Sequence, residues 1–353
     1  MSDTATAWRG GWLNRLVAKP GFQSWASRFL LTRGQARRDG AALFDIVQGF
    51  EQSQVLMALV ELDVFRRLRS GPQTAAILGK ACDVPAARME VLLQAGAALS
   101  LLKRKGERYA MARKGAALLG VPGLEAMIRH HRAFYDDLRD PVALLRGPET
   151  THLSQFWPYV FGVQGTVAPD VARTYSDLMA QSQQLVAEDT LRTVSLAGIS
   201  SLLDVGGGTG AFLEAAGQAN AAMQMMLFDL PPVVPDAQAR FESAGMAHRV
   251  AITPGSFLED PLPGGADAIS LVRVLYDHSD ETVRALLAKV YNAGKRPEKA
   301  GEVYFACYTM AMQTGRARSA AEIGALCEEA GFRGIQSKSP SRAYVTRVLT
   351  AVK

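Results

Sequence analysis

The sequence has few cysteines, no histidines at metal-ligand spacing and no long apolar run. Its three cysteines, Cys82, Cys307 and Cys327, lack the spacing of a disulfide framework or a zinc site. The five histidines show no His-x-x-x-His or similar pattern, so we expect no bound metal. No apolar run approaches the roughly 20 residues that span a bilayer, and no signal-peptide core follows the start. We therefore expect a cytoplasmic protein.

The composition is that of an ordinary globular protein. Of 353 residues, 48% are hydrophobic and 21% are charged. These values exclude a disordered or fibrous chain. A chain of this length has room for two domains, each with its own core.

Positive charge is concentrated in the N-terminal arm, residues 1–41. The formal net charge is +5, and residues 1–40 carry seven cationic side chains against Asp3 and Asp39. A membrane interface suits this mixture of basic and aromatic residues, because each cation near an anionic surface contributes about 1 kcal/mol. Packing of the arm on a dimer partner explains the same pattern, so both interpretations stay open. The aromatic residues of the arm are Trp8, Trp12, Phe22, Trp25 and Phe29.

Residues 42–120 have the pattern of a small helical domain with a basic hairpin. Apolar residues at helical spacing predict a helix over 53–62, and Thr74 and Asp83 are candidate caps for two helices that follow. Lys103 to Tyr109 then reads as a tight turn between two strands. Helices followed by such a hairpin make a winged helix. We expect no nucleic-acid partner, because no recognition helix rich in Arg, Asn and Gln precedes the wing.

Residues 121–198 form a predicted helical connector. A long helix is expected over 174–194, and it carries Met179 directly towards the glycine-rich stretch that follows.

The stretch from Ser201 to Gly210, with the sequence SLLDVGGGTG, predicts a buried strand, a tight loop and a helix over 211–220. Glycine at positions 206, 208 and 210 permits unusual backbone angles and the close approach of a ligand. The amide groups at the start of the next helix then face that ligand. We therefore expect a cofactor to bind at this loop.

Two cofactors are compatible with the loop, and the acid before it separates them. Gly206-x-Gly208-x-x-Ala211 also satisfies the dinucleotide fingerprint. Asp204 would repel a pyrophosphate but attract S-adenosylmethionine (SAM), which carries an ammonium and a sulfonium. A second acid, Asp229, ends the next apolar run and is placed to accept hydrogen bonds from both hydroxyls of a ribose. The pattern favours SAM.

From residue 199 to 353, apolar runs alternate with helical stretches. This alternation predicts an α/β fold with a doubly wound parallel sheet that binds ligands at the carboxyl ends of its strands. Residues 334–338 and 343–352 predict a closing antiparallel pair.

The chain resembles the plant-caffeate type of SAM-dependent O-methyltransferases. The winged-helix half, the LLDVGGGTG stretch, FDLP over 228–231, DAISLVRVLYDHSDE over 267–281 and EEAGF over 328–332 carry the resemblance, which covers residues 42–353. It implies a Rossmann-like SAM-binding domain preceded by a winged-helix dimerisation domain, and hence a homodimer. Residues 29–33 and 303–319 further resemble a bacterial branch that methylates hydroxylated carotenoids, which implies an apolar substrate. If the basic N-terminal arm contacts a membrane, we expect it to be the inner or photosynthetic membrane.

The resemblance also implies site residues. Tyr276 falls at the family's histidine base, and His278 is a second catalytic candidate, with an intrinsic pKa near 6.5. The implied cofactor contacts are Asp204, Gly206, Gly208, Asp229, Leu230, Ser256, Phe257 and Arg273, and the implied substrate-lining residues are Met179, Tyr308 and Met312. The segment 291–301 is too short for the family's fifth strand, so a catalytically impaired homodimer with a binding role stays open as the alternative.

Overall fold

The computed structural model describes residues 11–147, 150–154, 183–275, 278–288, 317–341 and 347–352. Backbone contacts divide the chain into two compact units, Met1–Ala117 and Leu118–Lys353. The finer division into arm, winged helix, connector and cofactor domain stays a prediction. Within the described ranges, no helix is both long and apolar enough to cross a membrane.

The first unit is mainly helical. Its core consists of apolar side chains that recur at helical spacing, and Leu59, Val64 and Leu78 are completely buried. The predicted helix over 53–62 is confirmed. The helices are α1 (Gly11–Val17), α2 (Pro20–Ala26), α3 (Arg33–Val47), α4 (Gly49–Glu61), α5 (Val64–Arg67), α6 (Ala75–Ala81), α7 (Ala86–Ala98) and α8 (Arg113–Leu119), the last of which spans the boundary between the units.

A three-stranded antiparallel sheet completes the first unit. It consists of β1 (Gln73–Thr74), β2 (Leu102–Lys105) and β3 (Arg108–Met111), in the order β1-β3-β2. Lys105 pairs with Arg108 across a tight turn, in which Gly106 has a φ of +60°. The predicted basic hairpin and winged-helix architecture are confirmed.

One of the two predicted helix caps is confirmed and the other is wrong. The Thr74 side chain accepts a hydrogen bond from the amide of Ile77 at the start of α6. Asp83 does not cap α7, because Pro85 is the N-cap residue. Asp83 instead has a φ of +54°, a left-handed conformation that aspartate tolerates better than most residues. It turns the chain between the two helices.

Within the described ranges, the second unit contains seven further helices and a parallel sheet. Local capping fixes two helix starts: Asp140 accepts from the amide of Ala143, and Ser319 forms a capping box with Glu322. The helices are α9 (Leu124–Leu138), α10 (Pro141–Leu145), α11 (183–193), α12 (Ala211–Ala219), α13 (Val234–Ser243), α14 (Asp280–Ala288) and α15 (Ala320–Glu329).

The sheet consists of β4 (Ser201–Val205), β5 (Gln224–Asp229), β6 (Val250–Pro254) and β7 (Ala268–Ser270). All neighbouring pairs are parallel, and the order is β6-β5-β4-β7. This is the predicted doubly wound arrangement, and its strand order reverses between β4 and β7. Ligands of such sheets bind in the crevice at that switch point.

Side chains on alternate positions of β4 and β5 enter two separate cores. Leu202, Met225 and Leu227 pack with α12 and α13, whereas Leu203 and Phe228 pack with Val205, Val274 and Leu286 in the second core. Because both faces are covered, the strands are apolar almost without interruption. Asp204 is the polar exception, and it is completely buried.

The C-terminal pair is antiparallel, as predicted. β8 (Arg333–Lys338) pairs with β9 (Val348–Val352), with an irregularity between Arg333 and Gln336. In the part of the chain that the structure describes, this pair forms a separate two-stranded sheet. The shortened segment 291–301 and the run 303–312 lie outside the described residues.

Candidate functional site

The glycine loop lies between β4 and α12, at the carboxyl end of the sheet. Gly206, Gly208 and Gly210 have φ values of +69°, +58° and +78°, a region that favours glycine. A Cβ atom on Gly208 would meet no atom within 4 Å, whereas one on Gly206 would lie 2.7 Å from Val274 and one on Gly210 2.5 Å from the Phe241 ring. From the sequence, we explained all three glycines by the close approach of a ligand. The structure supports this explanation only at Gly208. Packing excludes larger side chains at Gly206 and Gly210, and only Gly208 faces open space.

Asp229 holds this loop from the end of the neighbouring strand. Its carboxylate accepts a hydrogen bond from the amide of Gly208 (2.6 Å) and another from the amide of Leu230 (2.7 Å). Burial raises the pKa of Asp229, although these two amide hydrogen bonds act to lower it. The end of β5 is thereby joined to the loop that follows β4, where we expect the ligand to bind.

Asp204 lies beneath the loop. Its Oδ1 accepts a hydrogen bond of 2.5 Å from the hydroxyl of Ser270 on β7. Among the described residues, its Oδ2 has no hydrogen-bond partner, and it lies 2.8 Å from where a Cβ on Gly207 would be. Burial raises the pKa of Asp204 to about 7, the Ser270 hydrogen bond acts to lower it, and the charge of Asp229 adds to the increase.

These features fit a cationic cofactor with a ribose. The sheet end presents a completely buried carboxyl group on Asp204, a partly buried one on Asp229 and an open glycine at position 208. An unpaired, buried carboxylate oxygen is costly unless a donor or a positive charge compensates it. SAM has both, whereas a dianionic pyrophosphate would be repelled.

Two predicted cofactor residues follow β6. The amide of Ser256 donates to Asp260, and the Ser256 hydroxyl accepts from the amide of Leu258, so this short turn is held by its own residues. The Phe257 ring lies edge-on to the His278 ring, with centroids 5.1 Å apart and an interplanar angle of 87°. The structure thus brings Phe257 and His278 together.

Arg273 lies between β7 and α14 in an unusual backbone conformation. Its φ is +63°, and such strain in a non-glycine residue is frequent at functional sites. Strand β7 has already ended at Ser270, three residues before Arg273. Val274, one residue on, packs against Gly206 of the glycine loop. Arg273 therefore lies on the segment that adjoins the predicted cofactor site.

His278 is partly buried, and its ring is a weaker base than its sequence indicates. Burial lowers its pKa to about 4, and the positive charge of Arg318 acts in the same direction. The imidazole is therefore neutral at neutral pH, but it has little tendency to accept a proton. Tyr276, Met179, Tyr308 and Met312 lie outside the described residues.

Two residues of this region were not found from the sequence. Ser270 is paired with Asp204 in the strand register, and a serine at a strand end is an ordinary sequence feature. Arg318 donates to carbonyl groups of Leu275 and His278. Both interactions join residues far apart in the chain, so local sequence patterns give no signal for them.

Comparison with known proteins supports this interpretation of the fold and of the cofactor. Residues 44–120 match the O-methyltransferase dimerisation domain, and residues 135–333 match the O-methyltransferase domain. The chain is 51% identical over 355 residues to demethylspheroidene O-methyltransferase of Cereibacter sphaeroides, covering 96% of this chain and 94% of that protein. It is 46% identical to the protein of the same name from Rhodobacter capsulatus, covering 92% of this chain and 85% of that protein.

The fold is also that of a solved human protein. The structure of human N-acetylserotonin methyltransferase in complex with SAM has a TM-score of 0.72 and 23% identity, covering 89% of this chain and 97% of that one. The family matches cover both halves of the chain, and the 51% identity extends over nearly its full length. The chain therefore belongs to the O-methyltransferase family, as a SAM-dependent O-methyltransferase.

Proposed function

We propose that this enzyme transfers the methyl group of SAM to a hydroxyl group of a carotenoid. The observation that carries the proposal is the 51% identity over 96% of the chain to a demethylspheroidene O-methyltransferase. The substrate would then be a long apolar polyene with one tertiary hydroxyl. Such an alcohol is about as weakly acidic as water, so the reaction needs precise placement more than a strong base.

Asp204, Gly208, Asp229 and Leu230 are the residues that would hold SAM. When bound, SAM supplies an electrophilic methyl group on a sulfonium. The carboxylate of Asp229 is already fixed by two amides and is suited to accept hydrogen bonds from ribose hydroxyls. The carboxyl of Asp204 supplies negative charge below the loop, and Gly208 leaves the space above it open. Gly206, Ser256, Phe257 and Arg273 would complete the cofactor site.

The catalytic residues that we propose are His278 and Tyr276, with His278 the more important. Neutral imidazole accepts a hydrogen bond from a hydroxyl and thereby orients its oxygen, although a pKa of about 4 makes it a poor general base. The proton would leave late, as the oxygen bonds to the methyl carbon and the carbon–sulfur bond breaks. His278 can then take it, because a protonated ether is a much stronger acid than imidazolium. Tyrosine titrates near 10, so its hydroxyl stays protonated and is a still weaker acceptor of a proton. Met179, Tyr308 and Met312 would line the polyene.

Replacement of the two residues separates their roles. We expect Tyr276→Phe to lose less than about tenfold in rate, and His278→Ala to lose more, up to the roughly 10² of a displaced reactant. Single-turnover rates at saturating SAM measure both. A thousandfold loss in Tyr276→Phe would reverse the assignment.

The proposed reaction has a direct test. Labelled SAM and demethylspheroidene are incubated with the full chain, and labelled product is extracted; the same carotenoid with its hydroxyl already methylated is the control substrate. We expect label only with the free hydroxyl. If no label transfers although S-adenosylhomocysteine binds, the chain is the catalytically impaired homodimer of the alternative.

We also propose that the enzyme is a homodimer. The match of residues 44–120 to a dimerisation domain supports it. An apolar surface at the junction of α3 and α4 is exposed in the single chain and would be covered by a second copy. Its members, with exposures of 63–76%, are Leu43, Phe44, Ile46, Val47 and Phe50.

The N-terminal arm is proposed to contact an anionic membrane surface. It lies outside the matched dimerisation domain, which begins at residue 44. Trp12, Leu30 and Leu31 are 62%, 68% and 82% exposed, and exposed cations accompany them. Apolar side chains with flanking cations bind an interface through burial and charge together. The exposed cations are Arg15, Lys19, Arg28, Arg33, Arg37 and Arg38.

Sedimentation with lipid vesicles tests this contact. Leu31→Glu should lose binding to vesicles that contain phosphatidylglycerol, because it removes apolar burial and adds repulsion. Val91→Glu, at another exposed apolar position (67%), is the matched control and should bind as the original does. Equal binding of Leu31→Glu and the original protein would sink the proposal.

A further inference from the structure

Arg318 is a buried cation that holds one short segment of the chain. It lies just before α15, and its side chain is 1% exposed. The guanidinium donates to the carbonyl of Leu275 (2.6 Å) and to that of His278 (3.0 Å). Its Nε and one terminal nitrogen both donate to Asp280 Oδ1, at 3.0 and 2.5 Å. All of these acceptors belong to residues 275–280.

This segment belongs to the connection between β7, which ends at Ser270, and α14, which begins at Asp280. It carries both proposed catalytic residues, Tyr276 and His278, of which Tyr276 lies outside the described residues. The backbone carbonyls of Leu275 and His278 are both acceptors, and a buried carbonyl needs a donor. Arg318 satisfies both with one rigid group and anchors its charge on Asp280.

A buried guanidinium is costly to desolvate, and its hydrogen bonds offset that cost only when they are well aligned. Such a group is weak evidence for stability but fixes the geometry of its acceptors. The planar fork of arginine reaches several acceptors at defined angles, which the point charge of lysine does not. The position of the carbonyls at 275 and 278 therefore depends on the guanidinium shape.

Position matters at His278 because its ring is also held on the other side. The imidazole ring is in edge-on contact with the ring of Phe257. The backbone carbonyl of the same residue accepts a hydrogen bond from Arg318. A displacement of about 1 Å in such a site can cost about 10² in rate.

We infer that Arg318 is a positioning residue for methyl transfer, which fixes the backbone at Leu275 and His278 and thereby the ring of His278 just before α14. The inference rests on the proposed function, because it assigns His278 to the reaction. Arg318 touches neither substrate nor cofactor in this role. It acts only through the residues that it holds.

A double-mutant cycle separates positioning from simple support of the fold. Arg318→Ala and His278→Ala are each expected to lower kcat by about 10 to 10². The double variant is expected to be no slower than His278→Ala by more than about twofold, because residues that act through one another are not additive. Fully multiplicative losses would overturn the inference. Arg318→Lys should be slowed as well, and full kcat in that variant would overturn it too.

Two further measurements keep the test independent of activity. Hydrogen exchange of the amides in 278–283 should accelerate in Arg318→Lys, while exchange in β4 and β5 and the affinity for S-adenosylhomocysteine stay unchanged. Arg284→Ala is the matched control, since its arginine forms an exposed ion pair with Glu329 at 3.6 Å and should change neither rate nor exchange. Unaltered exchange in Arg318→Lys counts against the inference, whereas absence of turnover in the original enzyme counts against the proposed function alone.

Discussion

At the scale of single residues, Asp204 has the environment that most needs explanation. This carboxyl is completely buried, and one of its oxygens has no hydrogen-bond partner among the described residues. Both conditions oppose ionisation. A carboxyl at the end of an otherwise apolar strand is reasonable if a bound cation compensates its negative charge. The cofactor SAM supplies positive charge, so cofactor binding and the loss of a proton from Asp204 are expected to be linked.

The linkage predicts how SAM affinity depends on pH. Because the pKa of Asp204 is raised to about 7 in the folded chain, the carboxyl is mostly neutral below that pH and ionised above it. Affinity for a cation should therefore rise as the pH increases through about 7, and Asp204→Asn should abolish the dependence. Calorimetric titration with SAM on both sides of this pH measures it. Ser270→Ala is the control, since loss of its hydrogen bond should move the midpoint to higher pH.

A second prediction concerns two glycines of one loop. A Cβ on Gly210 would lie 2.5 Å from the Phe241 ring, whereas one on Gly208 would meet no atom within 4 Å. Gly210→Ala should therefore lower the free energy of unfolding by about 2 to 3 kcal/mol, from overpacking and backbone strain together. Gly208→Ala should cost about 1 kcal/mol, from backbone strain alone, and should weaken cofactor binding.

Urea unfolding and calorimetry with S-adenosylhomocysteine separate the two glycine variants. If Gly208→Ala bound the ligand normally, the open face of the loop would not be the ligand site. Equal destabilisation by the two variants would show that the Phe241 contact relaxes without cost.

At the scale of elements, the sequence predicted most of the sheet because each strand carries its own signal. β4 and β5 are apolar runs that end in an acid, and the predicted helix over 211–220 was found over Ala211–Ala219. The parallel direction of the strands followed from the alternation of strands and helices, since parallel strands need crossovers. The winged helix was likewise local, because its hairpin turns within a few residues.

What the sequence did not predict depends on contacts between distant residues. The hydroxyl of Ser270 and the carboxyl of Asp204 are 66 positions apart, and Arg318 is 43 positions from Leu275. The pKa of His278 falls to about 4 because the fold buries the ring, which an intrinsic value near 6.5 does not anticipate. Asp83 shows that local patterns can also be ambiguous. Aspartate is common both as a helix cap and in left-handed turns, and the sequence does not say which role applies.

At the scale of the whole molecule, two apolar surfaces of the first unit call for different partners. The α3–α4 surface adjoins and overlaps the region that matches a dimerisation domain, which begins at residue 44. The arm precedes that region and carries the excess positive charge. Apolar area without charge suits a second copy of the chain, whereas apolar area with cations suits an anionic interface.

A reciprocal pair of variants tests this division. Ile46 is 76% exposed and Leu31 is 82% exposed, and glutamate at either position buries a charge if that surface is covered. Ile46→Glu should turn the dimer into a monomer in sedimentation velocity, because an unpaired buried carboxylate costs several kcal/mol. Leu31→Glu should leave the dimer intact and abolish vesicle binding. If Leu31→Glu instead produced the monomer, the arm would belong to the dimer interface. Packing of the arm on the partner subunit would then replace the proposed membrane contact.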